Sequence, residues 1–321
     1  MLTTLRLPNP ATVPPIPNGR RVDVATADQL LDAVENARDG DVIVLAAGTY
    51  TLVETLTIGH SIVLYGDPVR PENVKLMNAH ANTNLANTIA TTNLDTQIKL
   101  IGLDIFSRNN VGVLLSRDTE AEILFCHIHD CEWSGIASLF GVPSVKITVK
   151  HCIITNNRIG IHVLGELIVT NSRIRVNRED GIVGRERQYV AAALGPRVAV
   201  ITDSEITQNG NSGIVVQTGT ITNCRITHNG GNGITIGSGN VTGCEISQNR
   251  NTGIFVVTAG RDSVVNVTSC EIQDNRGNGV EVGWDARGDF RENTLRGNQK
   301  GNWLIRPQPA NATRIGNRPN E

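Results

Sequence analysis

The chain has 321 residues, of which 3% are aromatic and 32 are glycine, so it is poor in the large side chains of a layered core. Its formal net charge of −2 excludes a global positive field that would attract nucleic acid or an anionic membrane. No apolar run approaches the roughly 20 residues of a transmembrane helix, and the first residues lack the apolar segment of a secretion signal. We therefore expect a protein without a membrane span, in the cytoplasm unless a signal peptide was removed.

Three segments are predicted at the start of the chain. Residues 1–21 are rich in proline and have no periodicity, which predicts an extended arm. Thr26 followed by Gln29 forms a capping box, and an apolar stripe at helical spacing follows it, so a helix is predicted over about 26–38. Beyond Asp39 the pattern changes to short β-branched runs separated by Gly, Asn and Asp, which are typical of strands and their boundaries.

A repeat then dominates the chain. The unit C-x-I-x-x-N-x-x-x-G-I recurs, and its Gly step falls at Gly112, Gly135, Gly160, Gly181, Gly213, Gly233, Gly253 and Gly279. The spacings of 23, 25, 21, 32, 20, 20 and 26 residues are too short for a strand and a helix with their turns. Such a unit buries its apolar face only against its neighbours, which predicts a single-stranded parallel β-helix over 22–305, with a tail at 306–321.

The repeated letters predict which side chains face inward. Three columns are expected inside the coils: isoleucines (Ile206, Ile226, Ile246, Ile272), small residues (Cys152, Ser172, Ser204, Cys224, Cys244, Cys270) and asparagines (Asn157, Asn177, Asn209, Asn229, Asn249, Asn275). The asparagines are expected to take a left-handed backbone and to hydrogen-bond along their column. The position after the small residue faces outward and alternates in charge, which indicates a surface ladder of ion pairs (Arg173, Glu205, Arg225, Glu245, Glu271).

These features resemble the right-handed parallel β-helix proteins of the pectin lyase-like superfamily. The resemblance covers residues 22 to about 305, and its most specific parts are the Asn column and the entry segment VATADQLLDAVENARDGDVIVLAAGTY, residues 24–50. It implies a right-handed solenoid whose N-terminal helix covers the open end. It also implies carbohydrate chemistry, since many members are lyases, hydrolases or epimerases of acidic polysaccharides. In the lyase and epimerase reactions a base removes the proton next to a uronate carboxylate, and a cation or metal stabilises the developing charge.

The family's catalytic motifs are matched only in part. The mannuronan epimerases carry Asp-Pro-His-Asp, and the segment His127–Ile128–His129–Asp130 agrees with its last two positions. The Asn-Thr-Asp and Gly-His-Gly signatures of the polygalacturonases are absent, and no run of carboxylates suggests the calcium site of the pectate lyases. The resemblance therefore predicts the fold of this chain, but it does not supply a complete set of catalytic residues.

The segment CHIHDCEWSG, residues 126–135, is the first candidate site. On a strand, His127 and His129 share the outer face, Asp130 follows them, and Trp133 lies in the next turn. His-x-His-Asp suits either metal binding or acid–base catalysis, although exposed histidine pairs are usually inert. The sequence indicates no cofactor, and a divalent cation is compatible with it without being required.

The insert GRERQYVAAALG, residues 184–195, is the second candidate site, and it lies in the longest spacing of the repeat. The predicted catalytic residues are His129, His162, Arg185 and Tyr189, with His162 or Tyr189 as the base. The predicted substrate-binding residues are His127, Asp130, Trp133, Arg173, Arg175, Arg187 and Phe255. The alternative is that the arginines of this region only pair with nearby acidic side chains on the surface.

An outward column of apolar character is the third feature: Val183, Val215, Thr235 and Phe255. It predicts a contact for a glycan, a protein partner or a second copy of the chain, unless a loop or the tail covers it. Two functions follow. The first is a lyase or epimerase acting on an acidic, uronate-containing polysaccharide or oligosaccharide, which requires titratable groups that converge across adjacent coils. The second is a non-catalytic scaffold that binds a glycan or a protein, which requires only the apolar column.

Overall fold

A computed structural model describes residues 13–78, 86–92, 95–139, 145–184, 198–258, 263–306 and 311–319. The α-helix spans Ala27–Glu35, and the predicted capping box is present at its start. Gln29 N donates to Thr26 Oγ1 at 3.2 Å, and Ala25 N donates to Gln29 Oε1 at 2.8 Å. Leu30 and Val34 are buried in the same apolar core as the first strands, so the helix packs on the beginning of the solenoid.

The rest of the described chain winds into coils of parallel strands that lie in three sheets. We name the first the short-strand sheet, because most of its strands have three residues and follow the small-residue column. Its 11 strands are Gly48–Leu52, Val74–Asn78, Asp104–Ser107, His127–His129, Ile153–Thr155, Arg173–Arg175, Glu205–Thr207, Arg225–Thr227, Glu245–Ser247, Glu271–Gln273 and Thr294–Arg296.

The second sheet, named the Gly-Ile sheet, contains the strands that lie at the Gly step in the coils that have one. Its strands are Leu56–Ile58, Ile89–Thr91, Val113–Leu115, Ser134–Ser138, Ile159–His162, Ile182–Gly184, Ile254–Val256, Val280–Val282 and Trp303–Ile305. The third sheet closes the coil with Arg21–Val24, Val42–Leu45, Val63–Tyr65, Gln97–Ile101, Glu120–Leu124, Val145–Lys150, Gly165–Thr170, Val198–Thr202, Val265–Thr268, Arg287–Arg291 and Asn311–Ile315. Two longer strands, Ile214–Thr222 and Ile234–Thr242, run through both sheets and join them.

The register confirms the predicted parallel β-helix. Ile206 pairs with Ile226, and Ile226 pairs with Ile246, so identical residues stack in successive coils. These isoleucines are fully buried and alternate with outward residues along each short strand. The 20-residue periodicity of residues 213–255 therefore arises because each coil repeats the same inward positions at the sheet spacing of about 4.8 Å.

The Asn column lies at the corner between the short-strand sheet and the Gly-Ile sheet. Asn229 donates through Nδ2 to Asn249 Oδ1 at 3.0 Å and accepts at Oδ1 from Asn209 Nδ2 at 3.0 Å. The expected left-handed backbone lies one residue earlier, at His228 with φ of 60° and at Gln248 with φ of 56°. The column asparagines are thus selected by their buried hydrogen bonds, and the preceding residue makes the turn.

The glycine of the Gly step, four residues after the column asparagine, is required by a close approach between coils. A Cβ on Gly233 would lie 2.6 Å from the carbonyl oxygen of Gly253 and 2.7 Å from Ile246 Cγ2. The Gly step is therefore retained because the backbones of successive coils come too near for any side chain.

The solenoid extends beyond residue 305, where the sequence predicts its end. Asn311–Ile315 pairs with Arg287–Arg291, and the backbone N of Asn293 donates to Asn317 Oδ1 at 3.0 Å. At the other end, Arg21–Val24 pairs with Val42–Leu45 as the outermost strand of the third sheet. In the described part of the chain, no helix is both long enough and apolar enough to cross a bilayer.

Candidate functional site

A cluster of ionisable side chains lies on the outer surface of the short-strand sheet. It is formed by two adjacent coils, because Asp104 starts one strand while His127 and His129 belong to the next. In the register, His127 pairs with Asp104 and His129 pairs with Phe106. Ile128 between the two histidines is fully buried, so both histidines project outward on the same side of the sheet as Asp104.

One carboxylate oxygen holds both histidines. Asp104 Oδ1 lies 3.0 Å from His127 Nδ1 and 2.9 Å from His129 Nε2. The second ring nitrogen of His129, Nδ1, lies 2.5 Å from Asp130 Oδ2. Because an ionised carboxylate only accepts hydrogen bonds, both nitrogens of His129 carry protons in this arrangement, and the ring is an imidazolium.

His127 differs from His129 in its second nitrogen. Its Nε2 is buried and has no hydrogen-bond partner within the described residues. The rings of His127 and His129 stack with their centroids 4.2 Å apart, and Phe106 stacks on His129 at 5.5 Å. Packing and Asp104 therefore fix the orientation of both imidazoles, while one nitrogen atom stays available for a further partner.

The environment shifts the pKa of two members of the cluster. Burial raises the pKa of Asp104, but the hydrogen bonds from His127 and His129 outweigh it and hold the pKa well below the ordinary value. Burial lowers the pKa of His129, but the hydrogen bonds to Asp104 and Asp130 outweigh it, so the pKa is raised. Asp104 is only 3% exposed, so its negative charge is present in a largely desolvated place.

Basic side chains flank the cluster along the solenoid axis. Lys75 pairs in register with Asp104 on one side. On the other side, Arg175 stands two strands from His129 in the same outward column, with Thr155 between them. Arg175 Nε is buried and finds no hydrogen-bond partner in the part of the chain that the structure describes. Along the solenoid axis, the cluster therefore lies between two basic side chains, Lys75 on one side and Arg175 on the other.

Arg173 belongs to the predicted surface ladder. It lies 3.4 Å from Glu205, which also lies 3.4 Å from Arg225. Arg225 in turn lies 3.3 Å from Glu245. These pairs are half-exposed, so each stabilises the fold little, and Arg173 is less available to a ligand than Arg175.

Trp133 lies at the corner beside the cluster and is 49% exposed. The guanidinium of Arg158, from the next coil, lies 4.5 Å from the centre of its ring, which is a cation–π contact. Arg158 is in turn paired with Glu179 at 2.8 Å. This corner thus presents a partly exposed indole whose position is fixed by a neighbouring coil.

The structure does not bring His162 to this cluster. His162 ends the strand Ile159–His162 of the Gly-Ile sheet, whereas His129 lies on the short-strand sheet. The chain leaves the described part at Gly184 and re-enters it at Val198, so the predicted site residues Arg185, Arg187 and Tyr189 lie outside the described residues.

The apolar column around Phe255 is largely covered. Val183 is 2% exposed and Thr235 is 4% exposed, and Phe255 is half-buried between Thr235 and Glu281 in register. Val215 is also half-buried, so two of the four positions in this column stay partly open to solvent.

The cluster also satisfies the spatial requirement for a metal centre. Asp104, His127 and His129 each offer one ligand atom, and these atoms all lie within 4.8 Å of one another. Sequence reasoning found the two histidines and Asp130 but missed Asp104, which the register places beside His127. The signal was present, because Asp104 precedes His127 by 23 residues, the same spacing that separates Gly112 from Gly135.

Stacked coils, three parallel sheets and a buried Asn column define a parallel β-helix protein. The family model described as "Right handed beta helix region" matches residues 40–167 and 160–311, and the protein belongs to this family. No sequence of a curated protein matches the chain.

Several solved structures share the fold. The pectate lyase Pel9A has 16% identity and a TM-score of 0.59 over 94% of this chain and 80% of its own. The A-module of the Azotobacter vinelandii mannuronan C-5 epimerase AlgE4 has 12% identity and a TM-score of 0.56 over 91% of this chain and 100% of its own. The Dettilon tailspike protein has 12% identity and a TM-score of 0.62 over 91% of this chain and 64% of its own.

Proposed function

We propose that this protein acts on an acidic, uronate-containing polysaccharide as a lyase or epimerase, on the outer surface of the short-strand sheet. The observation that carries the proposal is that two histidines contact one carboxylate oxygen from the adjacent coil. Asp104 Oδ1 lies 3.0 Å from His127 Nδ1 and 2.9 Å from His129 Nε2. Titratable groups that contact one another around a buried carboxylate are concentrated at functional sites.

The surroundings of the cluster support an elongated anionic substrate. Lys75 and Arg175 stand on either side of it along the axis, in positions to contact acidic groups on neighbouring sugar units. The exposed indole of Trp133 offers the flat apolar surface on which sugar rings stack. Two of the structures with the same fold are, by name, a pectate lyase and a mannuronan C-5 epimerase, whose names refer to polyuronates.

The reaction divides into two roles. Removal of the proton next to a uronate carboxylate needs a base, together with a group that stabilises the negative charge that develops on the carboxylate. We assign charge stabilisation to the imidazolium of His129, which Asp104 and Asp130 hold in position within the cluster. The predicted base, His162 or Tyr189, is not part of this cluster, because His162 faces outward from the adjacent Gly-Ile sheet and Tyr189 lies outside the described residues.

The experiment is a panel of polyuronates incubated with the purified protein. Lyase activity is read from the absorbance of the unsaturated product, and epimerase activity from exchange of the C5 proton with deuterated water. Replacing His127 and His129 by Ala should lower the rate by about 100-fold or more, since removal of one such charge-stabilising group costs about that much. His228→Asn is the matched control, because His228 is exposed at a turn far from the cluster with φ of 60°, which Asn tolerates.

Two outcomes would overturn the proposal. If no polyuronate reacts but one binds, the protein is a glycan-binding scaffold, the second function that the sequence allows. If polyuronates react equally fast with the His127 and His129 variants, the activity lies elsewhere on the solenoid. A separate His162→Ala variant then tests the base, since its loss of rate should appear without a change in melting temperature.

A further inference from the structure

We propose that Asp104, His127 and His129 bind one divalent first-row transition-metal ion. The site is the one to which the proposed function assigns charge stabilisation, and that part of the ion's role rests on the proposed function. The binding itself does not, because it follows from the donor atoms and their positions.

The donor set selects the class of ion. Two imidazole nitrogens and one carboxylate oxygen suit zinc, cobalt, nickel, manganese or ferrous iron. Calcium and magnesium prefer oxygen ligands alone, so they fit this site poorly. The inference therefore differs from a calcium site built from carboxylates, for which the sequence offers no cluster.

The distances fit a shared ion. Metal bonds to imidazole and carboxylate are about 2.1 Å long, so two ligands at right angles lie about 3.0 Å apart and two opposite ligands about 4.2 Å apart. Asp104 Oδ1 lies 3.0 Å from His127 Nδ1 and 2.9 Å from His129 Nε2. The three ligand atoms all lie within 4.8 Å of one another, so only small movements of the rings are needed.

Asp130 gives the site a supporting residue beyond the three ligands. A histidine that binds metal through one nitrogen usually donates its other N–H to a carboxylate, which fixes the ring and strengthens the ligand. His129 has this arrangement, because Nε2 faces Asp104 and Nδ1 lies 2.5 Å from Asp130 Oδ2. A metal ion would replace only the proton on Nε2 and leave the bond to Asp130 intact.

Charge gives a further reason for a cation. The two carboxylates of Asp104 and Asp130 outweigh the single positive charge that His129 can carry, so the cluster is net negative. A divalent ion would offset both carboxylates and leave coordination positions open to the substrate, so it would strengthen the charge stabilisation assigned to this site. Asp104 is 3% exposed and held by both histidines, so the site is largely formed before an ion arrives.

The test measures metal binding directly, on the full chain without an affinity tag. Protein stripped with a chelator is titrated with Zn²⁺ and Co²⁺ by calorimetry, and the Co²⁺ complex is followed by its visible absorption. We expect one ion per chain, a loss of affinity of at least about 100-fold in His127→Ala, His129→Ala and Asp104→Asn, and a loss of about 10- to 100-fold in Asp130→Asn. His228→Asn should bind as the wild type does, and Ca²⁺ should not compete.

The outcomes separate this inference from the proposed function. Failure of Zn²⁺ and Co²⁺ to bind in a one-to-one ratio would overturn the metal site, as would equal affinity in the ligand variants and the wild type. Circular dichroism of each variant identifies any that fail to fold. Asp130 is exposed, so Asp130→Asn should fold and still tests the site if the three ligand variants do not fold. Metal binding without turnover of any polyuronate refutes the proposed function alone, and turnover by a protein that binds neither Zn²⁺ nor Co²⁺ refutes the metal site alone.

Discussion

Replacing Asn229 by Leu tests the hydrogen-bonded column that holds successive coils together. The side chain of Asn229 is fully buried and makes four hydrogen bonds. It accepts at Oδ1 from the backbone N of Asn209 at 3.1 Å and from Asn209 Nδ2 at 3.0 Å, and it donates through Nδ2 to Asn249 Oδ1 at 3.0 Å and to the carbonyl of Ile206 at 3.2 Å. Leucine has a similar shape and can make none of these bonds.

The expected cost follows from what the partners retain. Asn209 Nδ2 keeps a bond to the carbonyl of Ile174 at 3.3 Å, and Asn249 Oδ1 keeps a bond from the backbone N of residue 229 at 3.1 Å. The backbone N of Asn209 and the carbonyl of Ile206 lose the amide as a partner inside a dry core. Two such groups at about 1–3 kcal/mol each give a loss of about 2–6 kcal/mol in the free energy of unfolding.

The measurement is urea denaturation followed by far-UV circular dichroism, together with hydrogen exchange resolved along the chain. Asn240→Leu is the matched control, because Asn240 is exposed on the long strand Ile234–Thr242 and should change the free energy by less than about 0.5 kcal/mol. Exchange should increase in the coils next to residue 229, since each coil contacts its neighbours only. If the two variants unfold at the same urea concentration, the column does not stabilise the solenoid.

Three further predictions concern His129, the cysteines and Glu245. In metal-free protein the raised pKa of His129 gives stability that is present below its ordinary value of 6.5 and lost as the pH rises through the folded value. The stability advantage over His129→Asn should therefore shrink as the pH is raised above that folded value. Ellman's reagent should react with none of the six cysteines of the native protein, because all are buried and burial raises the pKa of Cys131 to about 12. Glu245→Gln should lower the unfolding free energy by less than about 0.5 kcal/mol, as measured in urea, because its pair with Arg225 is half-exposed.

The fold could be predicted from the sequence because one physical constraint sets the period of the repeat. Ile226 and Asn229 repeat in each coil since every coil presents the same inward positions to its neighbours, and any change there affects two contacts. The position of the left-handed residue was not legible, because His228 and Gln248 share no chemical feature that marks it. The end of the solenoid was missed as well, since Asn311–Ile315 pairs in the sheet without the Gly step of the earlier coils.

The candidate site could be predicted from the sequence only in part, for a different reason. His127 and His129 were visible as neighbours on one strand, but Asp104 joins them through the register of two coils of unequal sequence. His162 lies at a similar outward step yet belongs to another sheet, which sequence spacing alone does not reveal.

The corner between the Gly-Ile sheet and the third sheet suggests a use in protein engineering. In two consecutive coils, Ile214–Thr222 and Ile234–Thr242, the chain turns this corner as one continuous strand with no additional residues. At Gly184 to Val198 the same corner carries a 13-residue connection, and the strands on both sides keep their register with the next coil. Foreign peptides inserted between Gly237 and the half-buried Ser238 should therefore be displayed at a known coil of the solenoid, and several could be presented at intervals set by the coil spacing of about 4.8 Å.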